Sequence, residues 1–410
     1  MRMRGGWRAP PARRDRGRGE TLAAPSPFSL RVKTTTRTEA RGPATVVDRQ
    51  VTTLARTNRI TRRALLIGAG VAAGAAIGAT LVERAFRHAP EGTSAGPPYG
   101  IDNWPGLDWH LFSESSPWVA PLDKTSVDPR SDVYISSLVS DGPPPPAGSK
   151  QLFGWGFPLY FGRATDPLYR IVLRETRFTY GQHIDGHQIH APTGMQPSNL
   201  SDGVVYVIDQ VDGHTYRFRL TVVDDTARTI TAWHAFRLET YGSGFNTVEE
   251  PPTGLLPIRP EELAAGYVNH TVGLHAKCLS GHSVAPYEGS GTKGKLCVPT
   301  DSATRLSMGN VVFLDLTHEQ IDALSIPTWQ KAICKGLADH GALVGFNGSG
   351  SWTLTFEAPQ DRIAYGEPNP YAALGLPSTL DYGNALDGIG GWGAHLKVLA
   401  PFPRPQVNQG

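Results

Sequence analysis

The chain has 410 residues, and its net charge of +2 is the average of two unlike parts: residues 1–63 hold sixteen basic and four acidic residues, whereas residues 96–410 hold 21 basic and 31 acidic residues. A body with a net charge of −10 argues against nucleic-acid binding, which depends on an excess of Lys and Arg facing phosphates. The 46 Gly, 34 Pro and nine Trp, beside only four Met, are typical of a loop-rich β protein and unlike a helical bundle.

The N-terminal part resembles a twin-arginine export signal. Arg62 and Arg63 precede a weakly apolar stretch rich in Ala and Gly, the pattern of proteins exported in folded form. We expect a disordered basic leader over 1–58 and a signal peptide over 59–95, recognised by the twin-arginine export machinery. The stretch could also span a membrane, but Ala and Gly gain little from lipid, which favours cleavage over a permanent anchor. The sequence therefore predicts a secreted protein of the extracellular space or cell envelope.

Next along the chain, residues 96–150 are rich in Pro and Trp and show no sustained periodicity. We expect them to form an extended segment wrapped over the main body, with one short helix over 131–139 that Ser131 or Asp132 caps. The repeated prolines at 143–146 end any regular structure there.

Residues 151–400 are predicted to form a β-rich domain. Short β-branched or aromatic runs alternate with turn residues, and they predict strands at 157–161, 168–174, 204–209, 214–223 and 229–239. Hairpins of this length favour an antiparallel β-sandwich or jelly-roll-like fold.

Helical signals interrupt the strands in the second half of the chain. Residues 259–266 have proline and acids in a first turn and a terminal glycine, which predicts a helix of one or two turns. A small helical insertion is expected at about 317–340, followed by a hairpin and a last strand near 395–399. Residues 401–410 form a tail.

Three cysteines bear on the compartment and the redox state. Cys278 and Cys297 bracket a loop rich in Gly, Ser and Lys, and a disulfide between them would stabilise an exported protein by about 3 kcal/mol. Cys334 lies in an apolar helical run, where a buried, inert thiol is expected. The cysteine spacing contains no zinc motif, and we expect no cofactor.

Two stretches carry a family resemblance. The run from Ile258 to Gly266, followed by Asn269 and His270, and the run from Ile326 through Trp329 to Val344 resemble motifs of a family of uncharacterised secreted β-rich proteins of actinobacteria and related bacteria. The similarity spans approximately residues 100–370. It implies a secreted β-rich fold and assigns no catalytic residue.

The densest polar cluster lies at 180–190. Gln188 and His190 share one face of an extended segment, and this Gln-Ile-His strand is similar to the catalytic strand of jelly-roll alginate lyases. In those enzymes glutamine neutralises the substrate carboxylate and histidine or tyrosine moves a proton, which makes Gln188, His190 and Tyr180 the catalytic candidates. The companion Arg-x-Glu and C-terminal tyrosine motifs of that family are missing.

Two other chemistries remain open. His183, His187 and His190 with Asp185 could bind a divalent metal, although a polar loop with hydrogen-bonded histidines is favoured because the flanking glycines disfavour a helix. A glycoside hydrolase would need two carboxylates about 5–9.5 Å apart. The candidates at the ends of predicted strands are Glu239, Glu357, Asp202 and Asp209.

Tryptophans supply the remaining functional signal, because sugar rings stack on aromatic side chains. Trp155 and Trp392 are flanked by glycines and are expected in turns, where they could bind a ligand. Trp233 and Trp352 lie on alternating strands and are expected in the core. The sequence thus predicts a secreted β-sandwich protein that binds carbohydrate or cell-envelope polymer, and a polysaccharide lyase or glycoside hydrolase as the alternative.

Overall fold

The computed structural model describes residues 98–141, 156–175, 182–199, 202–244, 253–285, 287, 299–347, 353–376 and 392–401. The chain divides into two compact units, 1–70 and 71–410, and all the described residues belong to the second. The predicted leader and signal peptide therefore lie outside the described residues. In the part of the chain that is described, no helix is long and apolar enough to cross a membrane.

The fold is mainly β with a small helical content, as the sequence predicts. The described residues form thirteen strands: β1 Leu159–Gly162, β2 Leu168–Leu173, β3 Gln188–His190, β4 Val205–Asp209, β5 His214–Arg219, β6 Val222–Asp224, β7 Thr229–Ala232, β8 His234–Glu239, β9 Val272–Ala276, β10 Val311–Leu314, β11 Ala342–Asn347, β12 Thr353–Leu354 and β13 Leu396–Val398.

The α-helices of the described residues are short. They are α1 Ser131–Ser140, α2 Pro260–Ala265, α3 His318–Asp322, α4 Thr328–Asp339, α5 Gln360–Ile363 and α6 Pro370–Ala373. Local sequence explains three of them. Thr317 and Gln320 form a capping box at α3, α2 ends at Gly266 in the left-handed conformation, and α4 begins after Pro327. The predicted helices near 131–139, 259–266 and 317–340 are confirmed.

Sheet 1 has the strand order β1-β4-β5-β8, and its strands β1 and β4 are buried on both faces. Along β1, Leu159 and Phe161 pack into one apolar core, whereas Tyr160 packs into another. Along β4, Tyr206 packs into the core of Leu159 and Phe161, and Val207 packs into the core of Tyr160. This alternation is the period of two that a strand requires, and it makes sheet 1 the middle layer between two cores.

Sheet 2, with the order β3-β2-β7-β6, covers one side of sheet 1. Its inward side chains, such as Tyr169, Ile171, Ile189 and Ile230, share a core with residues of sheet 1. The outer face of sheet 2 carries exposed and half-buried side chains.

Sheet 3, with the order β12-β9-β11-β10-β13, packs on the other side of sheet 1. Val311, Phe313 and Leu343 face the core shared with sheet 1. The opposite face of sheet 3 shares a third core with α1 and α4, including Leu138 and Ile333. The predicted helical insertion therefore covers the face of sheet 3 that points away from sheet 1.

The predicted antiparallel pattern needs correction. The pairs β1 with β4, β2 with β7, and β9 with β11 are parallel. Long connections separate the members of each pair along the chain, and a parallel pair needs a crossover connection of about a dozen residues or more. Periodicity within each strand does not reveal that crossover.

The two strands predicted at 214–223 and 229–239 each break in the middle. Leu220 adopts the left-handed conformation with φ of 51°, which separates β5 in sheet 1 from β6 in sheet 2. The second strand breaks at Trp233, between β7 in sheet 2 and β8 in sheet 1. The predicted single hairpin is thus two strand pairs, β5 with β8 in sheet 1 and β6 with β7 in sheet 2. The two pairs meet at a corner where both arms of the hairpin pass from one sheet to the other.

Candidate functional site

The outer face of sheet 2 combines aligned polar side chains with an exposed aromatic residue. One row crosses all four strands, with Gln188 opposite Arg170, Arg170 opposite Thr229, and Thr229 opposite Asp224. The next row contains Val172, Thr231 and Val222. Neighbouring strands lie about 4.8 Å apart, so a ligand of a few sugar rings can contact several strands at once.

Trp233 ends this face, and the expectation that it belongs to the core is wrong. Its exposed fraction is 43%, whereas Ile230 and Ala232 on β7 are fully buried. Trp233 directly follows the last residue of β7 and continues the alternation that puts Thr229 and Thr231 on the outer side. The amide of Glu175 donates to the carbonyl of Trp233 over 3.0 Å, so the chain that follows β2 continues alongside this residue.

Two arginines lie on the same face. Arg170 and Arg174 are both exposed, and the register of β2 with β7 places Arg174 beside Trp233. Within the described residues, neither guanidinium forms an ion pair or a side-chain hydrogen bond. By contrast, the Asp224 carboxylate accepts hydrogen bonds from the amides of Thr226 and Ala227 at 2.9 and 2.8 Å.

Gln188 and His190 lie in β3, on either side of the buried Ile189, as the sequence predicts for residues that share a face. The Gln188 side chain is exposed next to Arg170. His190 is partly buried: its Nδ1 lies 3.3 Å from Oδ2 of Asp209, and its backbone amide donates to the same oxygen over 2.8 Å. Since a carboxylate only accepts, this contact requires the proton on Nδ1.

Asp209 is a positioning residue for His190. Its carboxylate is 1% exposed and also accepts from the amides of Val211 and Asp212 at 2.9 and 3.3 Å. Three backbone donors and one imidazole hold the carboxylate in place at the end of β4. Asp209 therefore orients histidine and is not itself accessible to a substrate.

Several predicted site residues cannot be placed on this face. Tyr180, Trp155 and Cys297 lie outside the described residues. Trp392 begins a 3₁₀ turn, Trp392–His395, and its side chain is not among those described. This turn adjoins a cleft with a volume of about 510 Å³ that lies between α1 and β13, where Lys397 Nζ is already paired with Asp132 Oδ1 at 3.0 Å.

The histidine cluster does not converge. His183 and Asp185 are exposed, and Oδ1 of Asp185 accepts the backbone amide of Leu173 over 2.8 Å. His190 is held by Asp209. Among the described residues, no three His, Cys, Asp or Glu side chains are grouped so that they could hold a metal ion. The metal alternative has no support from this geometry.

The other carboxylate candidates do not form a hydrolytic pair. Glu239 is exposed on sheet 1, and Asp202 is engaged by Arg219 at 2.7 Å on the far side of the Leu220 turn. Glu357 is buried, and its Oε1 lies 3.2 Å from a guanidinium nitrogen of Arg362. Burial raises the pKa of Glu357, and the positive charge of Arg362 lowers it by less than burial raises it.

Glu357 belongs to a buried ionic cluster around Arg362. This guanidinium lies 2.7 Å from Glu261, stacks 4.0 Å above the ring of Trp104, and has Asp361 as a further neighbour. Burial, together with the charge of Glu357, raises the pKa of Asp361 well above its usual range. Both carboxyls are fully buried, so we assign the cluster to stability.

Residues of the first resembling motif hold the N-terminal segment in place. Arg259 donates to the carbonyls of Pro105, Gly106 and Trp109 at 3.1, 2.9 and 2.8 Å. Burial opposes ionisation of Glu262, but the charges of His270 and Arg259 outweigh it and lower the pKa of this carboxyl. The motif therefore fastens the predicted wrapping segment to the body.

The remaining aromatic and sulfur-containing candidates are structural. Trp109 and Trp118 are buried, and the indole of Trp104 donates to both carboxylate oxygens of Glu367. Cys278 is disulfide-bonded, and its pairing with Cys297 stays a prediction. Burial raises the pKa of the Cys334 thiol to about 12, which fits the expected inert thiol.

The outer face of sheet 2 is thus the described surface that best combines an exposed aromatic ring with unengaged polar groups. Sequence reasoning missed Trp233, although a signal was present: Thr229, Thr231 and Trp233 share one period-two face, and the threonines mark it as the polar one. Comparison of the chain with protein-family models, with curated proteins and with solved structures gives no match.

Proposed function

We propose that this protein is secreted and binds carbohydrate or cell-envelope polymer through the outer face of sheet 2. The observation that carries the proposal is the exposed Trp233. It lies beside Arg174 at the end of a face on which polar side chains of neighbouring strands are aligned. A sugar presents an apolar C–H face that can stack on the indole, while its hydroxyls need donors and acceptors. Gln188, Thr229 and Thr231 supply such groups on the same face.

The finer architecture that we propose is a β-sandwich made of sheets 1 and 2. Its support is the shared core between them, in which Tyr160 and Phe218 of sheet 1 meet Tyr169 and Ile230 of sheet 2. Such a scaffold keeps the outer face rigid, because every inward side chain of sheet 2 is fixed by packing. A rigid face needs little ordering when a ligand binds.

The replacement Trp233→Ala should lower the affinity for the bound polysaccharide at least tenfold, because the stacking surface is lost. Binding is to be measured on a glycan array and then by titration calorimetry. Tyr241→Ala is the matched control: Tyr241 is 42% exposed, nearly the same as Trp233, but follows β8 of sheet 1. The control should keep the affinity of the wild-type protein. If no polysaccharide binds, or if both variants bind as the wild type does, the proposal fails.

A second candidate function is a carbohydrate-active enzyme of the lyase type. The specific observation in its favour is that Asp209 orients His190 as a possible base, with Gln188 and Arg170 on the same strand pair. His190 would accept the proton next to a carboxylate that Gln188 and Arg170 neutralise. A C=C bond would then form as the neighbouring glycosidic C–O bond breaks, and the departing oxygen would take up a proton from His190 or water. Incubation with uronate polymers should then give unsaturated products that absorb ultraviolet light, and His190→Ala should abolish them. A lack of such products would remove the lyase candidate.

Export is the other part of the proposal. Replacing Arg62 and Arg63 by lysine should leave the precursor inside the cell, because lysine lacks the planar, five-donor guanidinium of arginine. Immunoblots of cell and medium fractions measure the distribution, and the unchanged chain serves as the reference. Equal amounts of both proteins in the medium would contradict export by the twin-arginine route.

A further inference from the structure

We infer that the polymer bound at the outer face of sheet 2 is anionic, carrying carboxylate or sulfate groups. The inference rests on the proposed function and narrows its ligand class. It starts from the charges of the face and from which of them are already engaged.

The two arginines are the unengaged charges of this face. Arg170 lies on β2 and Arg174 directly follows its last residue, a separation of four residues or about 13 Å along an extended chain, and both are exposed. In the described part of the chain, no carboxylate pairs with either guanidinium. Of the nearby carboxylates, Asp224 accepts a backbone amide of its own turn, and Asp185 accepts the backbone amide of Leu173 on β2.

Other exposed arginines of sheets 1 and 2 are engaged. Arg219 is paired with Asp202 at 2.7 Å. Arg228 donates to Tyr169 and to Thr193 at 2.9 and 3.0 Å. Arg170 and Arg174 thus differ from their neighbours in having their donors available to a ligand. A guanidinium presents a planar fork of donors that matches a carboxylate or sulfate, and such charge-assisted bonds are stronger than bonds to a hydroxyl.

The net charge of −10 over residues 96–410 opposes an anionic ligand at long range. Salt screens that repulsion within about 8 Å at physiological ionic strength. The groups that a bound polymer touches are then decisive, and on this face they are two guanidiniums against one carboxylate, that of Asp224, with a glutamine amide, threonine hydroxyls and one indole. Local charge complementarity therefore favours an acidic polysaccharide over a neutral one.

Matched polymer pairs test the inference with the full-length protein. The pairs are polygalacturonate with its methyl ester, and dextran sulfate with dextran, so that charge changes while the sugar stays the same. The first pair reports on carboxylate and the second on sulfate. Affinity electrophoresis or calorimetry should show binding to the charged member of at least one pair. The affinity should fall as NaCl rises from about 50 to 500 mM.

Two variants locate the effect. Arg170→Gln combined with Arg174→Gln should lower the affinity for the charged polymer about tenfold or more. Arg130→Gln is the control, because its side chain is 60% exposed at the start of α1, away from sheet 2. Circular dichroism should show that both variants remain folded, since these side chains are exposed.

Each outcome separates the inference from the proposed function. If the charged and neutral members of each pair bind equally, and this binding depends on Trp233, the inference of an anionic ligand is overturned. The proposed carbohydrate binding would then still stand. Binding to none of the four polymers, with Trp233-dependent binding to a neutral glycan of the array, would likewise overturn the anionic ligand, whereas binding to no glycan at all would contradict the proposed function. Tighter binding to a DNA duplex than to any of the polysaccharides, lost in the double arginine variant, would also overturn the inference, because the face would then bind nucleic acid.

Discussion

Replacing Arg362 by leucine should lower the free energy of unfolding at pH 7 by about 3–5 kcal/mol, because it leaves buried carboxyl groups without their shared counter-charge. Arg362 lies 2.7 Å from Glu261 and 3.2 Å from Glu357, and it is 5% exposed. It also stacks on Trp104, so the same change loosens the N-terminal segment from the body. Urea denaturation followed by circular dichroism measures the loss.

The pH dependence of this variant distinguishes charge from packing. Burial raises the pKa of Glu357 and of Asp361, so protonation of either carboxyl favours the folded protein over the unfolded one. Without Arg362 the folded pKa values rise further. The deficit relative to the wild type should shrink as the pH falls from 7 towards the raised pKa values, where the carboxyls are protonated in the folded state. A deficit that stays constant between pH 7 and 5 would mean that lost packing alone is responsible.

Arg130→Leu is the control for Arg362. The Arg130 guanidinium is 3.9 Å from Asp128 and its side chain is 60% exposed. An ion pair with this exposure contributes about 1 kcal/mol or less. Similar losses of stability in the two variants would contradict the assignment of the Arg362 cluster to a buried structural network.

The second large effect is expected from Gly162→Ala, which should destabilise the protein by about 3 kcal/mol. A Cβ at Gly162 would lie 1.9 Å from the carbonyl oxygen of His190 and 2.6 Å from its carbonyl carbon. Both are backbone atoms, so the end of β1 and β3 must separate, which also disturbs the contact of His190 with Asp209. Chemical denaturation measures the stability, and polymer binding should weaken with it if β3 moves.

Gly106→Ala is the matched control for Gly162. A Cβ at Gly106 meets no atom within 4 Å, and its backbone is outside the left-handed region. Its stability should stay within about 0.5 kcal/mol of the wild type. If Gly162→Ala also has the stability of the wild type, β1 of sheet 1 and β3 of sheet 2 are not in contact at Gly162 and His190.

Local sequence signals predict many of the elements correctly. The capping box of Thr317 and Gln320 and the left-handed Gly266 mark helix boundaries within a residue or two. The last strand near 395–399 is confirmed as β13. The helix boundaries depend on contacts between residues close in sequence, and the strand on its local apolar pattern, so a single chain reveals them.

The features that sequence reasoning missed depend on contacts between distant residues. The break at Leu220, a non-glycine residue with a left-handed backbone, costs roughly 1–2 kcal/mol locally. Nothing in the sequence near Leu220 signals it, because the packing of two sheets compensates for it. The parallel pairing of β2 with β7 and the third sheet likewise depend on how distant strands meet.

The candidate site was only partly predictable for the same reason. Gln188 and His190 were identified by their type and spacing, whereas Arg170 becomes relevant only because β2 pairs with β3. Trp233 was assigned to the core because aromatic residues on strands are commonly buried. The chain leaves sheet 2 at Trp233, between β7 and β8, and the indole is exposed there.

The most direct measurement of the central claim is the response of the Trp233 indole to ligand. In an NMR spectrum of the ¹⁵N-labelled protein, the indole signal that disappears in Trp233→Phe belongs to this residue. Titration with the polysaccharide that binds best should shift this signal first, together with the side-chain amide of Gln188 on the same face. Shifts confined to residues around the cleft between α1 and β13, with the Trp233 signal unchanged at saturation, would contradict the account.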